Sequence, residues 1–209
     1  MNLVSLVSSG IDSPVATYLS AQQAKKMILV HADTQPFTDD QEVKNFFTLA
    51  HHLHSLCPQI QQAVIVPHNP ALIYYKDKAK DRFTCVFCKR MLVRYAEAIA
   101  LQHDCSAIIM GDSLGQVASQ TLYNLRVVES AVEIPVLRPL IGMDKEDITR
   151  IAKDIGTYDL SIQPSQGCKA VPAKPATHTT NEQIQNEERS LAITSLVQTA
   201  IKNSEVILF

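Results

Sequence analysis

No apolar run in this chain approaches the roughly 18 residues that a bilayer-spanning helix needs, so a helical membrane protein is excluded. Residues 1–7 lack the basic start, apolar stretch and small-residue cleavage site of a secretory signal, and the expected location is the cytoplasm. Cysteine is scarce, with five residues at positions 57, 85, 88, 105 and 168. An odd number in a cytosolic chain argues against a disulfide framework. It leaves buried thiols, a metal or cluster site, or redox chemistry. A large charge of one sign is missing too. The net charge is −2, which does not mark a nucleic-acid binder. Two phosphate-binding signatures are absent, Gly-x-x-x-x-Gly-Lys-Ser/Thr and Gly-x-Gly-x-x-Gly. There is no internal repeat and no low-complexity tract.

What is present fits one domain, or one domain with an appendage. The 209 residues are 46% hydrophobic and 19% charged, enough to bury a proper core. Short apolar strands are expected at Leu3–Val7, Met27–His31, Ala63–Val66, Ala107–Met110 and Val132–Leu137. Helical patterns alternate with them at Ser13–Ala24, Asp39–Leu56, Cys88–Leu101, Gly115–Asn124 and Ile148–Ile155. Asp39 or Asp40 is a plausible N-cap, Asp144 starts the last of these helices and Gly156 ends it. This alternation predicts an α/β fold, a doubly wound, mostly parallel five-stranded sheet with helices on both faces. Residues 161–180 carry Pro164, Gly167, Pro172 and Pro175 and read as a long loop, often a functional one. Asn181–Lys202 reads as a final helix and Val206–Phe209 as a candidate short edge strand. The expected division is 1–160 for nucleotide binding and 161–209 for a loop and helix packed on the same domain.

The stretch Ser5–Ala16, SLVSSGIDSPVA, places small and polar residues where the first strand turns into the first helix. In a doubly wound sheet that turn lies at the carboxyl edge, where ligands bind. Ser8, Ser9, Gly10 and Ser13 can turn backbone N–H groups toward an anion, and the helix adds its positive end. Asp12 repels phosphate unless Mg²⁺ bridges the two. A plain helix cap accounts for the same residues.

The loop resembles the Ser-Gly-Gly-x-Asp-Ser pyrophosphatase loop of the PP-loop ATP enzymes, with Ser9 in place of the first glycine. A serine there is unfavourable if the position needs a positive φ. The segments HADTQPFT (His31–Thr38), TCVFCKRMLVRYAEAIA (Thr84–Ala100), MGDSLGQVASQTLYNL (Met110–Leu125) and PVLRPLIGMDKEDITRIAKDIGTYDLSI (Pro135–Ile162) add to it, in consistent order. Together they resemble the catalytic domain of tRNA 4-thiouridine synthases. The resemblance implies ATP as substrate, adenylation of a tRNA uridine at O4, and displacement of AMP by sulfur. It implies that Lys145 is required, and that Cys168 matches the family's catalytic cysteine. It also implies nucleotide contacts around His31, Gly111, Asp112 and Gln116, with Ser119 as a further candidate. His31 and Ala32 end the second strand, where the adenine of PP-loop proteins lies. Asp112 equally suits a cap for the next helix.

Cys85 and Cys88 form a Cys-x-x-Cys at a helix start, a spacing that serves a zinc site, a redox pair, a cluster or two buried thiols. By resemblance to archaeal-type chains they join Cys168 in holding an iron–sulfur cluster, 4Fe–4S or 3Fe–4S. Three thiolates would leave one iron open to bring hydrosulfide to the uridine. Persulfide or disulfide chemistry and structural zinc are the alternatives. Cys57 and Cys105 read as inert buried thiols. His51, His52 and His54 share a helix and read as a solvated face.

Larger family members carry a THUMP domain that grips tRNA, and bacterial ones a rhodanese domain. Neither is in these 209 residues. A separate tRNA-binding subunit and a sulfur donor, sulfide or a persulfide protein, are the partners this implies. Family members often form homodimers. Between Lys76 and Arg94, seven basic residues face two acidic ones, a pattern that suits a solvated helix face on charge alone and also a local patch that holds tRNA backbone. The rival readings are another PP-loop thiolase or adenylating enzyme, a non-catalytic cluster- or zinc-binding partner subunit, and a sulfur relay without ATP chemistry.

Overall fold

A computed structural model describes residues 1–209. Its centre is a six-stranded sheet in the order β5-β4-β1-β2-β3-β6, with β1 Asn2–Leu6, β2 Lys26–Asp33, β3 Ile60–Pro67, β4 Ala107–Ile109, β5 Val136–Leu137 and β6 Glu205–Leu208. The first five pair in parallel, and β6 adds antiparallel to the β3 edge. The sheet is therefore five parallel strands plus one, the sixth being the C-terminal edge segment.

Side chains alternate across the strands, and the two faces become two apolar cores. Val4, Ile28, Val64 and Ile108 face one side, packed against Phe87, Met91 and Ala96 of α4 (Thr84–Gln102). Leu3, Leu29, Ala63 and Ile109 face the other, packed against α1 (Asp12–Ala21), α2 (Asp40–Leu56) and α6 (Lys145–Asp154). Parallel strands covered on both faces read as continuous apolar runs, which is why they were legible.

Several boundaries differ from the sequence reading, each for a local reason. The expected helix over Gly115–Asn124 is instead a turn with Gly115 at φ 73°, a 3-10 turn at Ala118–Gln120, and α5 at Leu122–Glu129. Thr121 caps α5 by accepting from Asn124 N at 3.3 Å. The strand over Val132–Leu137 shrinks to two residues because the Glu97 carboxylate takes the N–H groups of Glu133 and Ile134, at 2.7 and 3.1 Å. Two helices escaped the periodicity, α3 at Asn69–Lys78 and α7 at Tyr158–Ser161.

The final helix is two, α8 at Asn181–Glu188 and α9 at Ile193–Lys202. A straight helix over that span would run roughly 33 Å and leave the domain. The break instead buries Ile184, Leu191 and Ala200 in one core. Gly156, at φ 72°, stops α6 as expected. No helix is long and apolar enough to cross a membrane.

Candidate nucleotide and sulfur site

The connection from β3 returns across the sheet to β4, so the strand order reverses between β1 and β4. A crevice opens at such a switch point, outside the carboxyl ends of the strands. The loops after β1 and β4 meet there. A Cβ on Gly111 would stand 2.7 Å from both the N and the Cα of Ser13, closer than real contacts allow. Gly111 is thus fixed by the close approach of two backbones. Gly111→Ala is expected to push the loop out of place and destabilise the fold by about 1–3 kcal/mol, which thermal unfolding measures.

The loop holds its own shape. Ser8 N donates to Ser13 Oγ at 2.9 Å, and Gly10 N donates to Ser8 Oγ at 3.3 Å. Thr17 Oγ1 donates to Ser13 O at 2.7 Å within α1 and lies 2.8 Å from Ser5 Oγ, which ties α1 to β1. Ser9 is not in the left-handed region, where Asp104 is the one non-glycine residue. The departure from glycine therefore carries no backbone strain. Its N–H and hydroxyl both donate to the Glu42 carboxylate, at 3.3 and 2.6 Å. An anion already occupies the cradle, supplied by the chain itself. Asp12 opens α1, and its carboxylate pairs with Lys145, the first residue of α6. Two helix N-termini thus face one another across that pair, and their dipoles favour a further anion.

His31 lies under this loop rather than in it. It is 2% exposed, stacks on Phe46 at 4.3 Å, and its Nδ1 bonds Val7 O at 2.9 Å. Burial lowers its pKa, so the ring is neutral and Nδ1 carries the hydrogen. Nε2 is left as a buried acceptor with no partner.

Asp112 neither caps a helix nor stands free. It is 3% exposed, and its carboxylate accepts from Lys89 Nζ at 2.5 Å and Arg138 Nε at 3.2 Å. Lys89 follows Cys88, so this ion pair joins the β4 edge to the cysteine helix. Gln116 lies in the exposed turn after Gly115, while Ser119 is buried.

Cys85 and Cys88 occupy the first turn and a half of α4. Cys168 sits on an exposed loop pinned to both sides of the crevice. Gln166 N donates to Asp39 Oδ2 at 3.0 Å, Lys169 N to Phe37 O at 2.8 Å, and Lys76 Nζ to Ala170 O at 3.3 Å. Asp39 holds the N-cap position of α2, but its carboxylate serves the cysteine loop instead of the helix. Burial pushes the Cys88 thiol up to about 12, and the Cys168 and Cys85 thiols add to it. Cys85 is raised too, by burial first and Cys168 second. The three sulfurs are therefore electrostatic neighbours, although no three such side chains stand together around one ion.

The basic segment is less free than its sequence implies. Lys76 pairs with Asp81, Lys78 with Asp77, Lys80 with Glu187 and Lys89 with Asp112, while Arg90 and Arg94 share Glu188. Arg82 lies over the Phe83 ring at 5.1 Å. Carboxylates distant in sequence, Asp112, Glu187 and Glu188, offset part of what a local count leaves positive. Of the α2 histidines, His51 is exposed as expected, whereas His52 and His54 are half-buried. His52 and His54 bond the carbonyls of Ile155 and Ile60, each at 2.7 Å, and His51 and His54 flank Phe209. Sequence reasoning missed Glu42, His68, Tyr95 and Arg138, none of which carries a local motif.

An α/β domain with a Ser/Gly loop and an acidic helix start at the switch point is a PP-loop nucleotide-binding domain. The family model described as "Thiamine biosynthesis protein (ThiI)" matches residues 1–193, and the chain belongs to that family. It is 41% identical over 190 residues to a "Probable tRNA sulfurtransferase" of Methanobrevibacter smithii, covering 90% of this chain and 50% of that protein. A protein of the same description from Methanothermobacter thermautotrophicus is 39% identical over 192 residues, covering 91% and 49%. The chain thus spans about half the length of these relatives. Among solved structures, "Crystal structure of a 4-thiouridine synthetase - RNA complex with bound ATP" superposes with a TM-score of 0.94 at 32% identity, over 100% of this chain and 55% of that one. An NMN synthetase from Francisella tularensis shares the fold, with a TM-score of 0.62 at 13% identity.

Proposed function

We propose that this domain is the catalytic part of an ATP-dependent tRNA uridine 4-sulfurtransferase. The observation that carries the reading is the loop–Lys145 crevice, an anion cradle between two helix N-termini, on the same sheet edge as three neighbouring cysteines. The N–H groups of Ser8–Ser13, now partly taken by Glu42, receive the β- and γ-phosphates. Lys145 neutralises charge as the uridine O4 attacks the α-phosphorus and pyrophosphate leaves. Sulfur then adds at C4 and AMP departs. His31 and the Gly111–Asp112 edge are assigned to the nucleotide side, and Gln116 to the rim.

Mg²⁺ suits this donor set. One carboxylate, Asp12, beside incoming phosphates is its usual company, and it would supply charge compensation there. Cys85, Cys88 and Cys168 are the residues that would hold an iron–sulfur cluster, because burial raises the free thiols of Cys85 and Cys88 and a metal is what makes thiolates favourable there. When bound, it supplies a position for incoming sulfur close to the activated uridine. The tRNA-binding module is assigned to a separate THUMP-like polypeptide or to the rest of a longer protein. Residues 161–209 act as one catalytic-loop and bracing unit on the nucleotide domain. Sulfide or a protein persulfide is the donor.

The test is an anaerobic assay of reconstituted protein with unmodified tRNA, Mg-ATP and sulfide, with nucleosides read by mass. The expected products are 4-thiouridine and AMP. AMP without thiouridine would keep the adenylating reading and remove the sulfur step, and neither product would favour a non-catalytic partner subunit.

A further inference from the structure

Beside the cysteine helix lies a buried histidine, His68, that no motif marks. His68 closes β3 and leads into α3. Its backbone N donates to Asp33 O at 2.7 Å, which fixes the ring's origin at the carboxyl edge of the sheet. The side chain is fully buried. Its Nε2 lies 3.2 Å from Cys88 Sγ and its Nδ1 3.2 Å from the Tyr95 hydroxyl. Tyr95 and Cys88 both stand on α4, so the ring bridges two turns of the helix that carries the cysteines.

We propose that Tyr95 and His68 form a hydrogen-bond chain that orients the Cys88 sulfur and donates to it when that sulfur is a cluster ligand. The inference rests on the cluster reading above. A neutral imidazole has one N–H, and a metal-bound sulfur has no proton and can only accept. Nε2 must then carry the hydrogen, Nδ1 is bare, and the tyrosine hydroxyl donates to it. This is the arrangement in which the buried His68 and Tyr95 are both satisfied with the half-buried Cys88 sulfur ligated. It is the outer-shell pattern that fixes tautomer and ligand orientation at metal sites. A donor on a ligand sulfur withdraws electron density and favours the reduced cluster, so it raises the reduction potential. His68 and Tyr95 are positioning residues, because they act through Cys88.

The experiment compares the cluster reduction potentials of reconstituted wild type, His68→Leu, His68→Gln and Tyr95→Phe, followed by spectroscopic redox titration at matched iron content. The expected result is a more negative potential in His68→Leu and a smaller shift the same way in Tyr95→Phe. His68→Gln, which keeps an N–H donor, should restore much of the loss. A cluster in His68→Leu at the wild-type potential overturns the proposal. If that variant does not fold, Tyr95→Phe decides, and an unchanged potential there overturns it equally. Wild type that binds no iron at all removes the cluster reading, and this inference with it, before any variant is compared.

Discussion

Replacing Lys145 with methionine is expected to lower ATP-to-AMP turnover by about 10²–10³-fold, the usual loss when one preorganised charge-stabilising group is removed. Stability should barely change. The Lys145 side chain is 49% exposed, and an exposed pair such as the one with Asp12 contributes about 0–1 kcal/mol. Affinity for tRNA should stay within a few-fold, because the lysine faces the nucleotide loop. Methionine keeps the length of the side chain, so the comparison isolates the charge. Pre-steady-state AMP formation and tRNA binding, measured on one preparation, separate the outcomes. An equal loss of turnover and tRNA affinity would contradict the assigned role.

The second large effect is on stability. Glu188, at the end of α8, receives Arg90 through Nε and Nη2 at 2.9 Å each, and Arg94 through two nitrogens at 2.8 Å. Burial alone would raise the Glu188 pKa, but the hydrogen bonds from Arg94 and Arg90 outweigh it and hold the group down at about 2, against 4.5 when free. A depressed carboxylate contributes stability that is present above the unfolded value. That stability is lost as the pH falls through about 4.5 toward 2. The shift corresponds to about 3 kcal/mol. Glu188→Ala leaves two cations without a counter-charge, one of them only 3% exposed, and is expected to destabilise by about 3–5 kcal/mol at neutral pH. The deficit relative to wild type should narrow as the pH is lowered from 5 to 3. Urea unfolding across that range measures it, and a deficit independent of pH would show that packing, not charge, supports this junction.

These two residues mark how much could be read in the chain. The Ser8–Ser13 turn, the Asp112 edge, Lys145 and the cysteines stand out as candidates in the sequence, because each belongs to a short segment whose spacing is itself the signal. The strands were legible as apolar runs. Their ends were not, because Glu97 and Gly115 decide them through hydrogen bonds and backbone angles that no periodicity encodes. The pairing of the basic segment is hidden from the sequence for a related reason. A local count of charge cannot include Glu187 and Glu188, which lie about a hundred positions further on in the chain.

The sequence by itself determined the α/β class, the place of the nucleotide loop, the family resemblance and the set of cysteines. These depend on neighbours within a few residues or on the alternation of whole elements. The tertiary structure decided what each site residue touches. It set Glu42 on the loop amides, gave Asp112 two cations, clamped the Cys168 loop with Asp39, and brought His68 and Tyr95 to Cys88. Charge pairing and hydrogen bonding act over a few ångströms in space, and the crossover from β3 to β4 brings together groups that the chain keeps far apart.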